Sequence, residues 1–582
     1  MIRIGSHRCL LWQSVICALV CLLAFHPFSS STSNFADAAP PEFTSTPRNR
    51  IFFWKVTAST LAPDGVTRPV LLVNDKYPGP KIEVNRGDYI TVVVQNALDV
   101  PTSFHWHGFT MRDDPWYDGV PGMNQCPIPP GTNFTYTFGT DNTSGTHWWH
   151  AHFENQYIDG LVGAIIVHEP PETDPFLHAY DEERTIIISD WYHQPTGPLL
   201  AHYLSPDSHG MEPVPNNGLI NGKHTFNCAN VIPADLKCEK GERTVFHFLP
   251  NRRYRLRIIN AGAAAPFLFS VDQHQLQVIE ADGTNLNPIL VDSVPVNNGQ
   301  RYSVILTTNQ EPKNYWMRAE FGLDCLPKPT NLDPVILAEV RYQGAGAAEP
   351  TSVGRFVPDP NSKEPQINPA FVEACKDLDL FQLHPLQPVP ILEPISKSIQ
   401  VRISFKKNET DNIVRGYLND ITYAADPWNP TMMQNLKDVV QYDVAQHVMT
   451  IDKRDSIVQI ILDNSLGGEH PFHLHGHVFQ VVAQGEGLYE EGKSQLSAVN
   501  PVRRDTATVP RKGYTVIRFK ADNPGVWALH CHIEWHVTTG LVMQFVELPD
   551  ELRAMHIPKQ AAQLCEVPPP AGFKADTGFM PK

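Results

Sequence analysis

Four short segments hold most of the chemistry-bearing side chains of this 582-residue chain. They read FHWHG with His105 and His107, THWWHAH with His147, His150 and His152, GEHPFHLHGH with His470, His473, His475 and His477, and WALHCHIEWH with His530, Cys531, His532 and His536. On a strand, residues i and i+2 point to one side and i+1 to the other. A His-x-His pair therefore offers two imidazoles to neighbouring metal ions. In His530-Cys531-His532 the two imidazoles face one way and the thiolate the other, so one tripeptide bridges two metal sites.

The donor types narrow the metal. Cys531 needs two further ligands, and His470 and His536 lie in the right segments. Two histidines and a cysteine are the ligand set of a blue copper site. Zinc accepts the same atoms, but it has no redox role, and a tripeptide wiring it to a polynuclear site would serve no electronic purpose. The other eight histidines, His105, His107, His150, His152, His473, His475, His530 and His532, form four pairs, enough for a cluster of three metals. Reduction of dioxygen to water takes four electrons. A donor that yields one electron at a time then calls for one collecting site and one storing site.

The rest of the chain reads as β structure. Runs such as YITVVVQN, ERTIIISDWYH, YRLRIIN, SIVQIILDN and YTVIRFKADNPG are β-branched and aromatic. They are punctuated by the 52 Pro and 36 Gly of the chain, the pattern of sandwiches or barrels. No 20-residue amphipathic helix competes. Residues 170–183 and 342–370 read as linkers. The expected organisation is residues 50–170, 181–345 and 370–550 as three domains, with 551–582 as a tail. RGDYITVVVQN followed by HWHG echoes DSIVQIILDN followed by HPFHLHGH, which implies that the first and last domains share a fold. The middle one lacks a His-x-His pair and is expected to act as a spacer or wall. A net charge of -16 excludes a broad nucleic-acid surface, and no long basic block or phosphate-binding Gly loop occurs.

Residues 1–38 have the layout of a secretory signal peptide: Arg3 and Arg8, an apolar run from Cys9 to Phe25, then a small polar stretch. A signal anchor is the alternative, although the run is short for a membrane span. No second anchor is apparent at the C-terminal end, and the expected product is secreted, extracellular or in the cell wall. Beyond residue 38 lie Cys126, Cys228, Cys238, Cys325, Cys375, Cys531 and Cys565. Cys531 is the odd one, and the other six allow about 15 disulfide connectivities that counting leaves open. Asn133, Asn142 and Asn408 head glycosylation triplets.

The four segments, in this order and separation, resemble the copper motifs of the three-domain multicopper oxidases, specifically fungal laccases and ferroxidases, over residues 50–550. The resemblance implies an all-β fold of three cupredoxin-like Greek-key domains and four copper ions. It assigns type 1 copper to His470, Cys531 and His536. Type 2 copper falls to His105 and His473, and the type 3 pair to His107, His150, His152, His475, His530 and His532. It puts Leu541 at the axial position of type 1 copper, where a methionine would donate a weak thioether. Met543 is near in sequence only, and His147 and His477 match no ligand position. Asp118 matches a family Asp near type 2 copper, and Glu534 matches a carboxylate that assists proton delivery near type 3 copper.

The electron donor is expected to be a small molecule bound near His470 and His536. Fungal iron oxidases carry an acidic triad at the type 1 site. Asp190 and Asp292 match its first two positions, but the third falls on Leu466, with Asp463 and Glu469 as nearby substitutes. SDWYH and NGK resemble laccases, whereas HCHIEWH, Leu541 and FKADNPGVW resemble the ferroxidase branch. The resulting expectation is a laccase-type oxidase that takes phenols, including a fungal pigment precursor, and O2. Fe(II) oxidation and a non-catalytic copper-binding protein are the alternatives. Asp190 and Asp207 are candidates for the phenolic proton acceptor.

Overall fold

The computed structural model describes residues 46–140, 143–230, 236–327, 332–356, 368–497 and 499–569. The signal segment at 1–38, Asn142 and the last residues of the C-terminal tail lie outside the described residues.

Strand formation follows the alternation of the sequence. In Tyr89–Asn96, Ile90, Val92 and Val94 point inward and are fully buried, while Tyr89 and Gln95 face out. Such strands assemble into six sheets. One four-stranded sheet orders Arg68–Val73, Asn49–Leu61, Tyr89–Asn96 and Asn133–Gly139, and its partner orders Ile82–Asn85, Val162–His168, Gly145–Ala151 and Phe104–His107. A six- and a five-stranded sheet follow within residues 182–342, and another such pair within 397–547.

The three sheet pairs share one pairing rule. In each larger or first sheet the opening strand runs parallel to a later one: Asn49–Leu61 with Tyr89–Asn96, Glu182–Trp191 with Arg253–Asn260, and Lys397–Lys407 with Ser456–Asn464. In each second sheet one parallel pair recurs: Ile82–Asn85 with Val162–His168, Val245–Phe248 with Val335–Tyr342, and Val448–Ile451 with Val542–Glu547. The likeness expected of the first and last units thus extends to the middle one, which follows the same pairing rule without a His-x-His pair. One continuous apolar core runs through residues of all three.

Among the described residues no α-helix exceeds eight residues, and none is long and apolar enough to cross a membrane. Among the described residues the disulfides are Cys126–Cys565, Cys228–Cys238 and Cys325–Cys375, which leaves Cys531 free and buried. Cys126–Cys565 fastens the C-terminal helix Lys559–Leu564 to the first sandwich, where Gln560 also donates to the Tyr117 hydroxyl (3.1 Å).

Candidate metal centre

Two strand pairs bring the histidines together. In the first sandwich Phe104–His107 lies antiparallel to Gly145–Ala151 with His105 opposite His150. In the last, His470–Leu474 lies antiparallel to Gly525–Cys531 with His473 opposite His530 and Phe472 opposite Cys531. Alternation does the rest: His105 and His107 have ring centroids 5.8 Å apart, while Trp106 between them is buried against Tyr136 and Phe138. His530 and His532 lie 5.7 Å apart on either side of Cys531.

The eight paired histidines converge between the two sandwiches. Donor atoms of His105, His107 and His473, of His107, His150 and His532, and of His152, His475 and His530 each fall within 4.8 Å of one another. His107 Nδ1 and His532 Nε2 are 3.3 Å apart, and His475 Nε2 and His530 Nε2 3.0 Å. On the other face of the His530–His532 tripeptide, Cys531 Sγ lies 3.3 Å from His536 Nδ1 and 3.7 Å from His470 Nδ1. His536 reaches this position from the short helix Glu534–Thr538.

Their hydrogen bonds fit a metal. A ligating imidazole is normally fixed by an acceptor on its other nitrogen. Here Nδ1 of His105 donates to the Asp118 carbonyl (2.8 Å), His150 to the Ala151 carbonyl (2.9 Å), His473 to the Asp505 carbonyl (2.8 Å), His530 to the Cys531 carbonyl (2.9 Å) and His475 to the Asp118 carboxylate (2.9 Å). The opposite nitrogens of His105, His150 and His473 are buried with no protein partner among the described residues. An orphaned buried nitrogen is costly, and a metal ion resolves that cost. Burial pushes His107, His150, His152, His470, His473, His475 and His532 well below the ordinary histidine range, and His530 to about 4. Neutral imidazoles are the form that binds metal.

Comparison with known proteins agrees with this geometry. Residues 55–172, 182–345 and 414–551 each match a multicopper oxidase pattern. The chain is a multicopper oxidase. It is 34% identical to Laccase-1 of Cryptococcus neoformans var. grubii over 563 residues, covering 93% of this chain and 87% of that one. It is 34% identical to the iron transport multicopper oxidase FET3 of Gibberella zeae, covering 86% and 76%. Among solved structures it resembles the laccase from Botrytis aclada at 1.67 Å resolution (TM-score 0.79, 32% identity, 90% and 92% covered). It also resembles Fet3p, a multicopper oxidase that functions in iron import (TM-score 0.78, 30% identity, 89% and 94% covered).

Around the histidines this multicopper oxidase places carboxylates of different kinds. Asp118 is fully buried on a loop made possible by Gly119, whose φ is +91° and where a Cβ would stand 1.8 Å from the Phe104 carbonyl oxygen. Glu534 lies buried between His532 and His536, and loss of hydration pushes its carboxyl up to about 8. Asp505 was not singled out by the sequence. Its Oδ1 sits 3.1 Å from His107 Nε2, its carbonyl orients His473, and Arg301 holds both its oxygens (2.7 and 2.6 Å). The only sequence signal for it is the Arg503-Arg504-Asp505 run entering a buried strand.

A cleft of about 360 Å³ opens onto His470 and His536, walled by Ala264, Leu326, Pro327, Phe405, Leu466 and Ile533. It also contains Glu212, whose Oε1 accepts from His536 Nε2 at 2.6 Å. Glu212 sits in a loop without periodicity, so no pattern announced it. The expectation that Asp190 receives a substrate proton is corrected. Asp190 is buried, outside the cleft, and accepts the backbone N–H groups of Ala263, Ala264 and Ala265 (2.8, 2.8 and 3.0 Å). It anchors the loop whose Ala263 carbonyl receives the Glu534 N–H (2.9 Å). Asp292 lines a different cleft with Asp272 and Arg355, and Asp207 is exposed outside the lining. Asp463 is buried and bonded by Gln400.

Leu541 is fully buried beside the sulfur-bearing strand: its carbonyl accepts from the Cys531 N–H (3.3 Å) and its own N–H donates to the His536 carbonyl (3.0 Å). Met543 pairs instead with Leu529. His147 bonds the Ser144 carbonyl (3.1 Å), and His477 bonds the His475 carbonyl (3.2 Å) with its Nε2 3.0 Å from the Glu547 carboxylate.

Proposed function

We propose that this laccase-type multicopper oxidase holds four copper ions and oxidises phenols, with pigment-forming phenols as a substrate class. The ligands would be His470, Cys531 and His536 for type 1, His105 and His473 for type 2, and His107, His150, His152, His475, His530 and His532 for the type 3 pair. When bound, copper supplies one-electron acceptance beside the cleft and four-electron reduction of O2 between the sandwiches.

The observation that carries the donor assignment is the lining of the cleft. It offers apolar walls and three carboxylates, of which Glu212 is the one bonded to His536. A phenol needs that combination: ring burial, and an acceptor for the hydroxyl proton as the electron leaves. Each phenol ArOH then gives ArO•, one proton and one electron. Four such events supply the four electrons and four protons that turn one O2 into two waters. Cys531 is joined covalently to His530 and His532, so the peptide itself is the shortest bonded path between the two centres. Asp118 and Asp505 hold imidazoles in orientation, and Glu534 stands where protons must arrive. The residue ranges 50–170, 181–345 and 370–550 serve as the three units of this machine. Three disulfides support a secreted, extracellular or cell-wall location, since such bonds persist in oxidising compartments.

The reading is tested by oxygen consumption of the copper-loaded protein with a dihydroxynaphthalene-type phenol and with Fe(II) under identical conditions. Faster turnover per unit concentration with the phenol is expected. Turnover with iron alone would make the protein a ferroxidase, the reading its likeness to Fet3p keeps in play. Oxidation of neither donor would leave the non-catalytic alternative.

A further inference from the structure

Two further carboxylates line the cleft beside His470 and His536: Asp324 and Glu469. Both are held by one side chain. Arg511 Nε donates to Glu469 Oε1 at 2.6 Å, and its Nη2 donates to Asp324 Oδ2 at 2.6 Å and reaches Glu469 Oε2 at 3.4 Å. Glu469 immediately precedes His470 at the start of its strand, and Asp324 immediately precedes Cys325, stapled to Cys375. The guanidinium therefore ties a wall from the last sandwich to a wall from the middle one. A second cleft of about 390 Å³, lined by Arg511, Asp324 and Glu469, lies against the same clamp.

We propose that Arg511 is a specificity-determining residue: by engaging Asp324 and Glu469 it keeps the cleft open to neutral aromatic donors and closed to hydrated divalent cations. The proposal rests on the phenol-oxidase reading above. Glu469 and Asp324 are hard oxygen donors of the type that hold Fe(II), and Glu469 stands one residue from His470. With the guanidinium in place, two carboxylates carry a net single negative charge. An arriving dication meets a fixed positive charge and must break charge-assisted bonds before it gains a ligand. Lysine would keep the charge but not the fork that spans both walls. Without the cation, three carboxylates, Glu212 included, converge on one cleft, and such focusing raises the capture of a cation steeply. There each Fe(II) becomes Fe(III) by giving up one electron, and four of them with one O2 and four protons give two waters. The oxidant is the O2 the enzyme already uses.

The test compares the copper-loaded parent with R511Q, R511M, R511K and R511Q/E469Q. Oxygen consumption with Fe(II) and with a phenol gives kcat and KM, and the visible absorbance of the blue centre scores its assembly. R511Q is expected to raise kcat/KM for Fe(II) about 10-fold or more, chiefly through a lower KM. R511K is expected to gain less than R511Q, because it retains the positive charge without the fork, and R511Q/E469Q to lose most of the gain. The proposal is overturned if R511Q assembles the blue centre without gaining on iron, if R511K gains as much, or if removing Glu469 leaves the gain intact. It is also overturned if neither R511Q nor R511M assembles the centre, since Arg511 is then a folding requirement. The parent's own preference is read first. Fast iron and slow phenol turnover in the parent would refute the underlying phenol reading, whatever the variants do.

Discussion

Asp505 acts through its neighbours. It touches His107 by its carboxylate and His473 by its carbonyl, and Arg301 fixes it by two charge-assisted bonds. Asp505→Asn keeps the shape but removes the charge that matches Arg301. Orienting groups of this kind are worth about 10–100-fold in metal affinity or activity. D505N is therefore expected to retain less copper after dialysis against a chelator and to lose oxygen-reduction rate, measured as copper per chain and kcat. Unchanged copper retention and kcat would refute the role. Glu212 belongs at the other end of the electron path. Glu212→Gln removes the acceptor for the phenolic proton, and general-base losses run to about 100-fold or more. Its kcat/KM should fall by that order for phenols and much less for a one-electron donor with no proton to lose. Equal losses for both donors would mean that Glu212 only supports His536. The convergence of the histidine pairs was legible because His-x-His obeys strand alternation. Asp505 and Glu212 were not, because their partners lie 398 and 324 residues away, and only the docking of whole sandwiches makes them neighbours.

At the scale of elements, the period-two runs gave the strands, but not all of their likeness. The echo between the first and last units was carried by histidines. The middle unit follows the same pairing rule on a sequence without a His-x-His pair, so its membership of the repeat was invisible. Disulfide partners were equally hidden, because Cys126 and Cys565 are 439 residues apart and meet only when the C-terminal helix docks. One element still shows an unabsorbed motif. Strand Asn133–Gly139 begins with the exposed Asn133 of a glycosylation triplet, beside a cleft of about 320 Å³ shared with Phe53, Lys55 and Val93. Phe53 is 71% and Ile51 54% exposed on the same sheet. A glycan rooted at Asn133 would shield that apolar face. Asn133 is expected to be glycosylated when the protein is expressed through a eukaryotic secretory pathway, and N133Q to bind more of an apolar dye while keeping its kcat. An unmodified Asn133 peptide in the mass spectrum would end the idea.

The whole molecule is held together by buried charge as well as by its core. Glu280 of the middle unit is fully buried and contacts Arg255, lies 3.7 Å from Arg257, and accepts the Ser303 hydroxyl (2.9 Å). It also accepts the Thr146 N–H (2.7 Å) on strand Gly145–Ala151, the strand of His150. Glu183 pairs with Arg257 at 2.9 Å. Burial alone would raise both carboxyls, but the arginines outweigh it and hold each at about 2, below the 4.5 of a free glutamate. A carboxylate whose folded value is depressed stabilises the protein fully above its unfolded pKa and loses that contribution as pH falls through the folded one. Thermal stability should therefore be flat with respect to these groups near neutral pH and decline from about pH 4.5 towards 2. Glu280→Gln leaves Arg255 and Arg257 short of a buried counter-charge, a change worth about 3–5 kcal/mol. E280Q should thus melt lower than the parent at pH 7, and the gap should narrow in acid, where the parent's own Glu280 is protonated. Melting curves of both proteins from pH 7 to about pH 2.5 decide it. A gap that is absent at pH 7, or that stays constant into acid, would show that the link between the first and middle sandwiches does not depend on this charge.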